Sequence, residues 1–267
     1  MGKVHGLFIG INDYPGSDID LGGCVNDAND WRSSCSQAAS TVMLIDSEAT
    51  RATILSQTKA VLSRLSVGDW AIITFSGHGS WIPDRDGDEP DGRDEVLVPH
   101  DYWNPIVDDE IHQLLQDRPA GSRVLFVTDA CSSGTVYRMF NPVACRAKVR
   151  FMDPHRMLNQ DDREVHTHAE RIAGRIVVPK ATISPGVVHL AGCQDTEYCY
   201  DAVFDDRPNG AFSRVALDAL KAMKRNITFQ SWYNRIRKSL PSYDYPQRPK
   251  LNARSSEKKL YLPMFTE

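Results

Sequence analysis

The chain has 267 residues, 41% of them hydrophobic and 25% charged, with a formal net charge of -4. That is the make-up of an ordinary globular protein with a sizeable core, and it lacks the basic excess of a nucleic-acid binder. No run of about 18 apolar residues predicts a membrane span, and Met1-Gly2-Lys3 enters an apolar stretch with none of the features of a signal peptide, so a cytoplasmic protein is expected.

The elements follow in chain order. Val4–Ile11 reads as a buried strand ending in the turn chemistry of Asn12–Gly16. Residues 24–39 read as a helix, 41–45 as a second strand and 50–65 as a second helix. Trp70–Phe75 is a third strand. Residues 95–99 suggest a short added strand and 109–116 a short helix. Arg123–Thr128 and Val187–Leu190 complete a set of five core strands. Residues 210–223 and 229–240 read as amphipathic helices, with an irregular Pro- and Tyr-rich stretch at 241–250. Strands alternating with helices imply an α/β fold, a mostly parallel central sheet flanked by helices on both faces. Residues 138–180 are rich in Arg and Lys, without apolar periodicity, and read as a long loop.

In an open parallel sheet, ligands bind beyond the carboxyl ends of the strands. Two reactive side chains are placed there. His78 follows the third strand in Ser76-Gly77-His78-Gly79, and Cys131 follows the fourth in Asp129-Ala130-Cys131-Ser132-Ser133-Gly134. A cysteine becomes a nucleophile when a nearby imidazole takes its proton, and that imidazole can return the proton to a leaving amine. Gly77 and Gly79 leave room for a substrate backbone, and the amides of Gly79 and Cys131 are candidates for an oxyanion hole. The carboxylates of Asp27 and Asp129 suit a guanidinium through paired hydrogen bonds. They read equally as a helix cap and a turn holder.

These segments resemble the metacaspase branch of the caspase-like cysteine peptidases, including its prokaryotic members, the orthocaspases. The resemblance rests on Gly10–Tyr14, Leu21–Ala28, Phe75–Gly79, Asp84–Glu95, Asp129–Gly134 and Asn209–Ser213. It implies a caspase-hemoglobinase fold in one catalytic domain. About 1–137 would be the larger part with the dyad, 138–180 a basic linker and 181–267 the smaller part. It also implies an endopeptidase acting on proteins or peptides after Arg or Lys, with Cys24, Asp27, Ser76 and Asp129 lining the primary pocket. Such proteins resemble monomers, and no nucleic-acid or membrane partner is expected. An exposed basic segment offers itself to an enzyme of that specificity, so self-processing within 138–180 is expected.

The chemistry requires no cofactor, but calcium is open. Asp84, Asp86, Asp88 and Glu95 fall at calcium-loop spacing, yet Glu89 stands where an EF-hand needs Gly. In calcium-dependent metacaspases the positions matching Asp94, Asp108 and Asp109 hold the ion. Arg138 stands where a further Asp is usual, and Ser132 where His is usual after the nucleophile. A calcium site and a solvated acidic loop both fit. His166 and His168 read as solvated loop residues, and Cys193 as a cleft or structural cysteine. Two rivals to the peptidase exist. A catalytically silent caspase-like scaffold or binding module would share the fold. A nucleotide-binding domain lacks support, because the Gly-rich phosphate motifs are missing.

Overall fold

The computed structural model describes residues 2–83, 93–131, 147–158, 184–223 and 226–263. Six strands form the central sheet: β1 (Val4–Gly10), β2 (Ser40–Ile45), β3 (Trp70–Ser76), β7 (Arg123–Asp129), β9 (Val187–Ala191) and β12 (Lys250–Asn252). Their spatial order is β12-β9-β7-β3-β1-β2, and all pairs are parallel except β12 with β9. The alternation of side chains along each strand divides the core in two. Leu7, Ile9, Ala71, Ile73, Val124 and Phe126 face one side, whereas Phe8, Ile72, Leu125 and Val127 face the other.

Helices cover both faces. On the first, α2 (Arg51–Ser63) and α3 (Asp108–Gln116) contribute Ile54, Val61, Ile111 and Leu115. On the second, α1 (Cys24–Ser34), α5 (Ala211–Lys221) and α6 (Phe229–Ile236) contribute Trp31, Phe212, Leu220 and Trp232. Among the described residues, no helix is long and apolar enough to cross a membrane.

Two small antiparallel sheets stand beyond the carboxyl ends of the central strands. One joins β4 (Gly79–Pro83), β5 (Arg93–Leu97) and β6 (Ile106–Val107). The other joins β8 (Lys148–Val149), β10 (Tyr200–Phe204) and β11 (Arg207–Gly210). The core strands and helices fall where periodicity places them, with ends shifted by a few residues; helix 24–39 stops at Ser34. The reading of 138–180 as a featureless loop is corrected at β8 and at α4 (Pro154–Leu158). Both are held from outside, by pairing with β10 and by burial of Met152 and Met157, so no local pattern announces them. Strand β12 was missed for the same reason. It has three residues, and its partner β9 lies some sixty residues away in sequence. A last short helix, α7 (Ser255–Lys258), closes the described chain.

Candidate active site

Parallel pairing of β3 with β7 aligns Ser76 with Asp129, so His78 and Cys131 leave the sheet side by side. Both are buried. His78 Nε2 lies 2.7 Å from the carbonyl of Ile19, which can only accept, so Nε2 carries the proton. The lone pair is therefore on Nδ1, which has no hydrogen-bond partner among the described residues. Tyr14 supports the loop: its hydroxyl accepts from the His78 amide at 2.9 Å, and its ring lies 5.0 Å from the imidazole. Burial lowers the His78 pKa to about 4, so the ring is neutral at ordinary pH.

The thiol of Cys131 is held elsewhere. It accepts from the Cys199 amide at 2.7 Å and donates to the Cys199 carbonyl at 3.5 Å. Thiol and imidazole thus hold no hydrogen bond to each other in this state. The sulfur atoms of Cys131, Cys193 and Cys199 lie within 4.8 Å of one another. Burial pushes the Cys131 thiol up, but hydrogen bonds from Cys193, Cys199 and the Cys199 amide outweigh it and lower its pKa from the ordinary thiol value. Cys131 is the acidic member of the three, since Cys193 and Cys199 are both raised. The five described cysteines are all free.

The two expected oxyanion amides converge on one atom. Gly79 N and Cys131 N both donate, at 3.1 Å each, to the carbonyl oxygen of Arg150. A side chain at Gly79 would sit 2.2 Å from the Cys131 carbonyl, so its bareness serves the close approach of these two loops.

The same Arg150 fills the expected pocket. Its guanidinium is fully buried and contacts Asp27 at 2.7 Å, Asp201 at 2.9 Å and Asp129 at 3.1 Å. Asp27 accepts from Gly210 N at 3.0 Å, Asn209 Nδ2 at 2.9 Å and Arg150. Asp129 also accepts from Ser213 N at 2.9 Å. Burial raises the Asp27 pKa to about 6; Arg150 lowers it, and the charge of Asp129 adds to the rise. Of the four residues expected to line the pocket, Asp27 and Asp129 grip the guanidinium. Cys24 is buried at the start of α1 with its thiol raised by burial, and Ser76 lies next to Asp129 in the ladder. Neither bonds to Arg150. Asp201 is a pocket residue the sequence reading missed. It also accepts from Gly22 N and Gly23 N, at 2.7 and 2.9 Å, and so ties β10 to the loop before α1.

The acidic residues Asp94, Glu95, Asp108 and Asp109 gather where β5 meets the start of α3. Burial, then the charges of Glu95, Asp109 and Asp94, push the carboxyl of Asp108 well above its usual range. This hard-oxygen set suits Ca2+ in chemistry and would be relieved by a cation. It is not gathered into one shell: the described groups of three ligand atoms within 4.8 Å do not include it. A cavity of about 470 Å3 runs from Glu95, Asp108 and Asp109 to Ala130 and Cys193, beside the Cys131 loop. Asp84–Glu89, Ser132, Arg138, His166 and His168 lie outside the described residues.

A six-stranded, mostly parallel sheet with a cysteine and a histidine on adjacent strand ends defines the caspase-hemoglobinase class. The comparison with known families agrees. The model of the caspase domain matches residues 3–261, and the chain belongs to that family. Metacaspase-1 of Coccidioides immitis is 30% identical over 94% of this chain and 61% of its own length. Metacaspase-3 of Arabidopsis thaliana is 32% identical over 82% of this chain and 60% of its own length. The chain thus spans about three-fifths of these relatives. A protein of known crystal structure from Geobacter sulfurreducens superposes with a TM-score of 0.79, at 26% identity, over 98% of both chains.

Proposed function

We propose that this protein is a cysteine endopeptidase that cleaves after Arg or Lys. Cys131 attacks the scissile carbonyl. His78, through Nδ1, takes the thiol proton and returns it to the leaving amine. The Gly79 and Cys131 amides hold the oxyanion, and Asp27, Asp129 and Asp201 hold the basic side chain. Water then releases the acyl group. The observation that supports this reading is Arg150: one residue of the chain has its guanidinium among the three carboxylates and its carbonyl on both amides. Acting on its own basic segment, such an enzyme would be self-processing.

The test compares peptides ending in Arg, Lys and Asp before a reporter group, with the wild type and Cys131→Ala. Hydrolysis after Arg or Lys that is lost in Cys131→Ala is expected. Preference for Asp, or activity surviving in Cys131→Ala, would refute the proposal. A silent scaffold would cleave none of the peptides and would leave Cys131 unlabelled by an Arg-directed electrophile.

Calcium control belongs to the same reading. Asp94, Asp108 and Asp109 would hold the ion, which would supply a positive charge to offset their mutual repulsion. Activity should then rise with added calcium and fall with chelator. An activity indifferent to both would remove this part of the proposal.

A further inference from the structure

We infer that the segment Lys148–Met152 is the protein's resident substrate, cut by its own Cys131 between Arg150 and Phe151. This rests on the peptidase reading and names the bond on which it first acts. The segment lies in the cleft in extended register. Val149 pairs with Tyr200 and Lys148 with Asp201, antiparallel to β10, and Arg150 N donates to Cys199 O at 3.0 Å. Past the carbonyl held by Gly79 and Cys131, Met152 N donates to Gly79 O at 3.0 Å. Backbone bonds on both sides of one peptide unit fix which bond faces the reactive groups.

The side chains agree with that register. Arg150 fills the carboxylate pocket. Val149 and Phe151 pack against the cluster of Cys131, Cys193 and Cys199, and Phe151 meets Tyr198 at 6.0 Å. Met152 is buried in the main core. A merely structural salt bridge would need the guanidinium in place. It would not need the carbonyl of the same residue on the two amides next to the nucleophile.

The step balances without a further reagent. The Cys131 thiol leaves Cys199, gives its proton to His78 Nδ1, and forms a C–S bond to the Arg150 carbonyl carbon. The C–N bond to Phe151 breaks as His78 returns the proton to that nitrogen. Water, deprotonated by His78, then cleaves the thioester. The products are a carboxylate at Arg150, a new amino terminus at Phe151, and the free thiol. The reaction is intramolecular because the segment is already seated. Peptides patterned Lys-Val-Arg-Phe-Met are expected to be preferred substrates in trans.

The test is terminal sequencing and intact mass of the full-length protein. Wild type should yield a fragment starting at Phe151. Cys131→Ala should stay whole, even when mixed with equimolar wild type. Phe151→Pro should keep the fold and lose the cut, because the ladder runs through Arg150 O and Met152 N and makes no use of the Phe151 amide. Arg150→Lys should still be cut after residue 150, and Arg150→Glu should not. Cleavage of Cys131→Ala by added wild type would overturn the intramolecular claim. Hydrolysis of Arg peptides with no fragment starting at Phe151 would overturn the inference and leave the peptidase reading standing. Inertness toward both the peptides and the chain itself would overturn that reading as well.

Discussion

Arg150→Met on the Cys131→Ala background tests how the pocket is held without any cleavage. Methionine keeps an unbranched apolar stem and deletes the guanidinium. The three carboxylates within 3.1 Å of that guanidinium then lose the cation they share. Stranding one side of a buried ion pair costs about 3–5 kcal/mol, whereas an exposed pair is worth ~0–1 kcal/mol. Full burial of Arg150 and Asp27 puts this case in the first class. Part of the loss is recoverable with acid. Asp27 already titrates near 6 with the guanidinium present, and losing that cation pushes it higher. An acid whose folded pKa exceeds its unfolded value binds protons preferentially in the folded state, so stability rises as pH falls. Urea unfolding of Arg150→Met should therefore show a deficit of about 3–5 kcal/mol at pH 8 that narrows at pH 5. A deficit below ~1 kcal/mol with an unchanged pH slope would refute the buried-pair argument.

With a basic side chain bound, protonation of Asp27 removes negative charge from the pocket; the KM for Arg peptides should rise as pH falls through about 6. The kcat limb set by His78 should lie lower, near 4, and a KM flat from pH 8 to pH 5 would count against Asp27 as a pocket residue. Tyr14→Phe removes the hydroxyl between the His78 amide and the Val98 carbonyl. Leaving a buried amide unpaired costs about 1–3 kcal/mol. Steady-state kinetics should show kcat down by roughly tenfold or more with KM little changed, and a KM effect alone would refute a positioning role for Tyr14. Asp108→Asn relieves the repulsion from Glu95, Asp109 and Asp94. Its Tm should exceed the wild type's in chelator, and the calcium-induced rise in Tm should be lost; equal rises in both proteins would refute the site.

The positions of His78 and Cys131 were legible early because each terminates a strand whose apolar pattern is local, and adjacent parallel strands bring their ends together. Asp27 and Asp129 were legible as a pair suited to one guanidinium, but not that a guanidinium of the same chain lies between them. Asp201 sits in a short strand with no distinguishing pattern, and its importance lies in reaching Gly22, Gly23 and Arg150. Arg150 was one basic residue among many in a segment without periodicity.

The amino-acid sequence determined the sheet, the two helical layers and the strand ends that carry the candidate dyad. Those follow from side-chain period and turn chemistry within a few residues. Only the tertiary structure decided which arginine enters the acidic pocket, that Cys131 rests on Cys199 rather than on His78, and which carbonyl the two amides hold. The physical reason is separation along the chain. Asp27 and Arg150 are 123 residues apart, and Cys131 and Cys199 are 68. Such contacts are selected by burial and charge in the folded state, where no local pattern records them.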